Sequence, residues 1–262
     1  MSRFPLANVH PEAQIAANVV IEPFATVHKD VVIADSSWIG AGAIIWDGAR
    51  LGKNVKVFPA ASVSSPPQDL KFAGEKTETH IGDNTVIRES VTISRGTADK
   101  FKTVIGNNCL LMAYVHVAHD CVVGNNCILA NAVQVAGHVN IDDWAIIAGA
   151  SALHQFVKVG AHVMLSGGSL VRKDVPPFTK AAREPLTYAG INTVGLRRRG
   201  FTSEKITEIQ EIYRYIFLKG MNNSKALDIV EKEVPSSPER DYIVDFIRTS
   251  ERGIMKGYGG ND

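Results

Sequence analysis

The sequence predicts an all-β parallel β-helix over residues 1–185, followed by a small C-terminal α-helical domain over residues 186–262. Three observations lead to this prediction. An aliphatic residue recurs at every sixth position from Val9 to Val171, a small or β-branched residue stands two positions before it, and the repeat ends before Pro176-Pro177. A helix repeats every 3.6 residues and a simple strand every two, so neither produces this pattern.

The six-residue repeat is nearly unbroken. Of the 28 positions from 9 to 171 in steps of six, 25 are Val, Ile or Leu, and the other three are Asp69, Glu75 and Asp99. We interpret each hexad as a short strand that points one large and one small side chain inward and then turns a corner. Three hexads, or 18 residues, complete a triangular coil, so the repeat predicts about nine stacked coils.

Two polar stretches interrupt the repeat, at about residues 64–79 and 95–102. The aliphatic positions resume in the same phase after each stretch. We therefore expect both stretches to loop out from a corner while the coil continues. Loops on a rigid scaffold are a frequent place for binding residues.

The C-terminal part begins with a predicted connecting segment, residues 178–200, which finishes in the basic run 197–199. Thr202 or Ser203 can then cap a helix that stops at Gly220, with apolar residues at helical spacing. A second helix is predicted near 225–233, and a third from Ser237 to near Gly253.

Composition limits the function class. The chain has 262 residues with a formal net charge of +1, which gives no bulk signal for nucleic acid binding. It has no apolar run of about 18 residues and no N-terminal signal pattern, so we expect neither a membrane span nor secretion. Three cysteines, all at small inward positions, fit core packing and a reducing compartment. We therefore expect a cytoplasmic protein.

The 18-residue coil brings several histidines together. Adding 18 to His119 gives Gly137, next to His138, and adding 36 gives Gln155, next to His154. These residues are predicted to stack on three successive coils along one edge, with His116 nearby and Asp120 beneath His138. Because none of the histidines occupies an inward position, core packing is a weak explanation for them. The sequence therefore predicts a functional site on this edge.

The sequence motifs resemble a large family and a more specific family within it. The repeat resembles the hexapeptide-repeat family, whose prisms coil left-handed and whose members are commonly acyltransferases and trimers. More specific motifs resemble the bacterial UDP-N-acetylglucosamine O-acyltransferase family, which begins lipid A synthesis, over nearly the whole chain. They are QDLKF (68–72), IRESVTISRGT (87–97), HVAHD (116–120), ILAN (128–131), AGHV (136–139), HQF (154–156), GAHVM (160–164), DVPPF (174–178) and GLRRRGF (195–201).

This resemblance implies a reaction without a cofactor or metal. The 3-hydroxyl of UDP-N-acetylglucosamine would attack the thioester of a (3R)-3-hydroxyacyl group on acyl carrier protein. His119 matches the general base, Asp120 would orient it, and the backbone N–H of Gly137 matches the oxyanion donor. The expected partners are acyl carrier protein, the sugar nucleotide and, in a homotrimer, two further copies of the chain.

The resemblance also implies binding residues. His116, His138, His154 and Gln155 match positions that hold the sugar, the phosphates or the acyl chain. Asp69 and Lys71 match residues that contact the sugar across a subunit boundary. Asn192, Arg198 and Arg199 match nucleotide contacts, although the basic run could instead receive the acidic carrier protein. Gly167 matches the position that limits acyl length. Residues 181–185 depart from the family pattern, which puts local nucleotide contacts in question.

Three alternatives stay open at the level of sequence. Some hexapeptide proteins are zinc enzymes of the carbonic anhydrase type, but such a site needs three converging histidines. The related UDP-3-O-acylglucosamine N-acyltransferase normally has an extra N-terminal domain, whereas this repeat begins by Val9. A scaffold without chemistry would not require the aligned edge of His119, Gly137 and Gln155.

Overall fold

The computed structural model describes residues 4–257 and confirms the predicted fold. Short parallel strands form three sheets that enclose one apolar interior, and a four-helix region follows. Among the first 25 strands, neighbours in a sheet are three places apart in the chain, as expected when three strands make one coil. We call the sheets A, B and C in the order in which the chain visits them.

Sheet A contains β1 (Asn8–Val9), β4 (Thr26–Val27), β7 (Ile44–Ile45), β10 (Ser62–Ser65), β13 (Thr92–Ser94), β16 (His116–Val117), β19 (Gln134–Val135), β22 (Ala152–Leu153) and β25 (Leu170–Val171). Sheet B contains β2 (Gln14–Ile15), β5 (Val32–Ile33), β8 (Ala49–Leu51), β11 (Glu78–Ile81), β14 (Lys102–Ile105), β17 (Val122–Val123), β20 (Asn140–Ile141) and β23 (Lys158–Val159). Sheet C contains β3 (Val20–Ile21), β6 (Trp38–Ile39), β9 (Lys56–Val57), β12 (Val86–Ile87), β15 (Leu110–Leu111), β18 (Ile128–Leu129), β21 (Ile146–Ile147), β24 (Met164–Leu165), β26 (Thr179–Ala182) and β27 (Thr187–Ile191).

The register between coils follows the hexad repeat. Val117 pairs with Val135, and Val135 pairs with Leu153, so equivalent residues lie above one another. The large aliphatic column and the small column both point inward and form one continuous core. The three cysteines are buried free thiols in this core, as predicted. Many corners contain a non-glycine residue with positive φ, for example Asp120 at 58° and His138 at 62°.

The chain leaves the coil twice, between β10 and β11 and between β13 and β14. We call these segments, residues 66–77 and 95–101, the first and second excursions. The excursions touch each other, because the Ala98 N–H donates to Glu75 Oε1 at 3.0 Å and the Arg95 guanidinium lies 5.4 Å from the Phe72 ring centroid. Both leave sheet A at the corner that leads to sheet B, and they therefore cover the same edge of the prism.

The connecting segment predicted over 178–200 is wrong in detail, because it contains regular structure. β26 continues sheet C and pairs with β27 as an antiparallel hairpin, whose turn includes Arg183 at a φ of 80°. A short helix, α1 (Thr193–Arg198), follows and was not predicted. The prediction failed because tertiary burial of Phe178, Ile191 and Leu196, rather than local periodicity, stabilises this segment.

Three further helices complete the fold: α2 (Ser203–Leu218), α3 (Asn223–Glu233) and α4 (Pro238–Arg248). Thr202 caps α2 through its side chain, which confirms the predicted start, whereas α4 ends five residues before Gly253. Hydrogen bonds tie these helices to the prism. The Tyr213 hydroxyl donates to Pro177 O at 2.6 Å, and the Tyr242 hydroxyl bonds to Asp142 and accepts from the Ala161 N–H. Within residues 4–257, none of the helices is long and apolar enough to cross a bilayer.

Candidate active site

The predicted histidine edge lies at the corner between sheets A and B, which we call the A–B corner. After β16 the corner carries His119 and Asp120, and after β19 it carries Gly137 and His138. The backbone ladder continues through the corner, because the His138 N–H donates to His119 O at 3.0 Å and the Phe156 N–H donates to Gly137 O at 3.2 Å. The coil therefore fixes the spacing between these groups.

His119 and Asp120 form a buried hydrogen-bonded pair. His119 Nδ1 lies 2.9 Å from Asp120 Oδ2, and the two residues are 6% and 0% exposed. An ionised carboxylate only accepts, so Nδ1 carries the proton and Nε2 keeps its lone pair. Burial raises the pKa of Asp120, but bonds from Thr97 and then from His119 outweigh it, so the pKa lies below its usual value. The carboxylate is thus ionised and the imidazole is oriented as a base.

Gly137 lies directly against the His119 ring. A Cβ at this position would stand 2.7 Å from both Cε1 and Nε2 of His119, closer than real Cβ atoms come to other groups. Any side chain here would therefore displace the ring. Within residues 4–257, the Gly137 N–H has no hydrogen-bond acceptor. This amide is available to a negatively charged oxygen that approaches Nε2.

A cleft of about 740 Å³ opens in front of His119. It runs over the outer face of sheet A and beneath the first excursion. The cleft contains six of the predicted site residues, namely Asp69, Lys71, His116, His119, Gly137 and Gln155. Its other lining residues were missed by sequence reasoning, among them Gln68, Leu70, Ser94 and Gln134. Gln134 could have been found, because it stands one coil after His116 on sheet A.

Asp69 and Lys71 reach this cleft from the same chain as His119. Asp69 Oδ2 lies 3.8 Å from His119 Nε2, and the side chain of Asp69 is mostly buried. Within one chain the first excursion therefore brings both residues to His119, a proximity that the resemblance did not imply. The sequence did not indicate how far the first excursion bends, and it bends back over the corner from which it leaves.

His116 and His138 flank His119. Burial lowers the pKa of both, with the neighbouring His119 adding to the effect at His116. His116 Nδ1 is 2.7 Å from Thr92 Oγ1 and its ring faces the cleft. His138 Nε2 lies 3.8 Å from Asp120 Oδ2, and its Nδ1 lies 3.2 Å from Asp99 Oδ2. Both imidazoles are neutral near pH 7 and can donate or accept one hydrogen bond each.

His154 and Gln155 lie one coil further along. Gln155 lines the cleft, whereas His154 is exposed beside it and places Nδ1 3.1 Å from Gln155 O. His154 is thus free to contact a ligand that extends beyond the cleft.

Asn192, Arg198 and Arg199 do not line the cleft of the same chain. They lie at the corner between sheets B and C, which we call the B–C corner, where Asn192 Nδ2 donates to His162 O at 2.9 Å. The Arg199 guanidinium lies 5.1 Å from the Trp144 ring centroid, and Arg198 is exposed. Burial, with the charge of Arg199 adding to it, lowers the pKa of His162 to about 4.

Gly167 lies at the third corner, between sheets C and A, which we call the C–A corner. It stacks on Gly149, and a Cβ at Gly167 would meet only Gly149 O at 3.3 Å and Ala148 Cβ at 4.0 Å. Gly167 and His119 therefore stand at opposite edges of sheet A.

One group of metal-ligating side chains occurs within residues 4–257: His119, Asp120 and His138. It holds two histidines rather than the three that a zinc site of the carbonic anhydrase type requires. Both oxygens of Asp120 already accept hydrogen bonds, from His119 and Thr97. A metal ion would have to displace these bonds, so the group is better suited to proton transfer.

Comparison with known proteins identifies close relatives. Residues 174–255 match the family described as UDP N-acetylglucosamine O-acyltransferase, domain 2, and residues 102–137 match the bacterial transferase hexapeptide family of six repeats. The acyl-[acyl-carrier-protein]–UDP-N-acetylglucosamine O-acyltransferase of Chlorobaculum parvum (strain DSM 263 / NCIMB 8327) is 51% identical over 255 residues, covering 95% of this chain and 97% of that protein.

Solved structures agree with this match. The crystal structure of a UDP-N-acetylglucosamine acyltransferase from Bacteroides fragilis 9343 has a TM-score of 0.94 at 53% identity, covering 96% of this chain and 99% of that chain. The enzyme of that name from Francisella novicida has a TM-score of 0.94 at 40% identity, covering 97% of this chain and 94% of that chain.

Proposed function

This chain belongs to the UDP-N-acetylglucosamine O-acyltransferase family, and from this premise we propose how its residues carry out the reaction. The protein acylates UDP-N-acetylglucosamine with the acyl group of acyl carrier protein, the first step of lipid A biosynthesis. We infer that the acyl group is a (3R)-3-hydroxyacyl chain and that the 3-hydroxyl of the sugar accepts it. The relatives described above support this reaction over N-acylation.

The His119–Asp120 pair against the Gly137 amide is the observation that carries the mechanism. The sugar hydroxyl attacks the thioester carbonyl carbon and gives its proton to His119 Nε2. Asp120 stabilises the imidazolium, and the Gly137 N–H donates to the oxyanion of the tetrahedral intermediate. When the C–S bond breaks, His119 returns the proton to the sulfur, so the products are the sugar ester and the carrier thiol.

The remaining residues of the cleft hold the acceptor in this proposal. Asp69 and Lys71 bind the sugar from the first excursion, and their positions in the cleft support this role. His116, His138, His154 and Gln155 surround the path of the acyl and phosphate groups. Mass spectrometry tests the proposal, because purified protein with both substrates should form a UDP-sugar heavier by one 3-hydroxyacyl group. Omitting acyl carrier protein should abolish product formation. If no product formed with both substrates present, the proposed function would be contradicted.

We further propose a homotrimer with the C–A corner at its three-fold axis. The residues at this corner are mostly Pro, Ala and Gly, and Leu6, Phe24 and Tyr114 there are 73%, 74% and 66% exposed. The outward residues of sheet A include no Lys, Arg, Asp or Glu, and those of sheet C are mostly apolar. Such surfaces are typical of a subunit interface. The B–C corner, in contrast, is rich in Asp and Asn.

This arrangement completes the active site. If sheet A of one subunit packs on sheet C of the next, the A–B corner of the first lies beside the B–C corner of the second. His119 of one copy then faces Asn192, Arg198 and Arg199 of its neighbour. These residues would bind the nucleotide there, with the guanidinium groups suited to the pyrophosphate. The separation of the two corners within one chain supports this assignment.

Mixing two inactive variants tests this arrangement. We expect His119→Ala and Arg198→Ala each to be strongly impaired at low sugar-nucleotide concentration. Co-expression of both should restore activity to about a quarter of the wild-type level, because that fraction of interfaces in randomly mixed closed trimers pairs an intact His119 with an intact Arg198. Mixing the proteins without subunit exchange is the control. A co-expressed mixture as inactive as its components would contradict a shared site.

Acyl length tests the proposed course of the acyl chain. An acyl chain that starts at His119 and follows sheet A reaches the C–A corner near Gly167. Replacing Gly167 with Met should shift the preference toward shorter 3-hydroxyacyl chains, because its Cβ meets only Gly149 O and Ala148 Cβ within 4 Å and the rest of the side chain would block the groove. Competition between carrier proteins with chains of different length measures the preference. Ala41→Met, at the same corner far from the site, is the control, and an unchanged preference in Gly167→Met would exclude this role.

We also propose a cytoplasmic location. The buried free thiols of Cys109, Cys121 and Cys127 support it, because unpaired cysteines are typical of a reducing compartment.

A further inference from the structure

Asp120 is held by the second excursion as well as by His119. The Thr97 N–H donates to Asp120 Oδ1 at 3.0 Å, and the Thr97 hydroxyl lies 2.6 Å from Oδ2, the same oxygen that accepts from His119. The Lys100 N–H adds a longer bond to Oδ1 at 3.3 Å. One residue outside the prism therefore contacts both oxygens of the buried carboxylate.

The direction of the hydroxyl bond is fixed by its surroundings. The Asp99 N–H donates to Thr97 Oγ1 at 3.3 Å, so the hydroxyl oxygen already accepts one bond. Because Asp120 is an ionised acceptor, the Thr97 hydroxyl proton points to Oδ2. Asp120 Oδ2 thus receives two donors, one from Thr97 and one from His119 Nδ1.

The second excursion is held firmly enough to position another group. Its first residue donates to β10, since the Arg95 N–H reaches Ser65 O at 3.0 Å, and the Gly96 N–H reaches Glu78 O at 3.2 Å. A Cβ at Gly96 would stand 2.2 Å from Lys102 N, so only glycine allows this close passage. Thr97 itself is buried. It is therefore a rigid anchor rather than a loose loop residue.

We propose that Thr97 is a positioning residue for the acyl transfer, because its hydroxyl and amide hold Asp120 in the orientation that keeps His119 Nε2 directed into the cleft. This inference rests on the proposed function and extends it to a residue outside the prism. Thr97 does not touch the reacting atoms. It fixes the orientation of the carboxylate, and its hydroxyl donates to Oδ2, the same negatively charged oxygen that accepts from His119 Nδ1.

Removing the hydroxyl has a defined electrostatic consequence. Asp120 Oδ2 would lose one donor and hold the His119 imidazolium more strongly, so the base would lose its proton only at higher pH. The other charged or titratable groups around this pair stay in place. They are Asp69, Lys71 and Glu75 of the first excursion, Asp99 and Lys100 of the second, His116 and Cys121 on the same coil, and His138 on the next coil.

The test compares Thr97→Val, which has nearly the same shape without the hydroxyl, with Thr97→Ser, which keeps it. We expect Thr97→Val to lower kcat about tenfold or more, the size expected for losing a hydrogen bond to a charged group. The acidic limb of its kcat/KM profile should move to higher pH by about half a unit or more. Thr97→Ser should restore both toward wild type.

Thr103→Val is the matched control, because the Thr103 hydroxyl is also buried but has no hydrogen-bond partner within residues 4–257. It should keep the wild-type profile. Unchanged activity in Thr97→Val, or lower activity with an unmoved acidic limb, would overturn the inference while leaving the proposed function intact. Lack of turnover by the wild-type protein would instead contradict the proposed function.

Discussion

Replacing His119 with alanine is expected to lower kcat/KM by about 10²–10⁴-fold, the usual contribution of a positioned general base. The substitution removes Nε2, the proposed acceptor of the sugar proton, and leaves Asp120 without its imidazole partner. The assay is initial-rate formation of acylated UDP-sugar at saturating donor. The larger part of the loss should lie in kcat, because the proton moves in the transition state.

His28→Ala is a suitable control for this variant. His28 also lies at the A–B corner, but on a coil far below the cleft, where it stacks on Trp46. It should retain wild-type activity. If His119→Ala kept more than about a tenth of the wild-type rate, another group would have to be the base.

A methyl group at Gly137 is expected to be nearly as damaging. The Cβ of Gly137→Ala would stand 2.7 Å from the His119 ring, so the ring must move away from the position that Asp120 sets. The same methyl would crowd a thioester oxygen that approaches the Gly137 amide. Since one oxyanion donor alone is worth about 10²–10³-fold, we expect a loss of at least this size in kcat.

A folding measurement separates this local effect from the general cost of adding a methyl group to a corner. Thermal unfolding by circular dichroism should show that Gly137→Ala is still folded. Wild-type kcat in folded Gly137→Ala would exclude the proposed oxyanion site.

The prism and the centre of the site could be predicted from sequence because both depend on one period. Each inward aliphatic residue is required by the core, so the hexads mark the strands from β1 to β25. Once the coil length is known, it places His119, Gly137 and Gln155 above one another, and all three line the cleft. The core requires the repeat, and the same repeat fixes the spacing of the side chains that point outward.

The rest of the site could not be predicted because it depends on contacts that do not follow the six-residue repeat. The path of the excursions is set by hydrogen bonds such as those of Thr97 to Asp120, which have no counterpart in local sequence pattern. Helix α1 begins where Asn192 caps it, and Leu196 is buried against the C-terminal helices. Local propensity alone gives little weight to a helix of six residues.

The pairing of every coil only with its immediate neighbours has a consequence for how the protein tolerates change. The stability of such a stack is approximately the sum of a contribution from each coil and a contribution from each contact between adjacent coils. A substitution in the first coils therefore destabilises mainly those coils and their immediate neighbours. His119 and Gly137 lie several coils away from the N-terminal end, and the C-terminal helices are bonded to the opposite end through Tyr213 and Tyr242. Substitutions in the N-terminal coils should therefore leave the geometry around His119 unchanged.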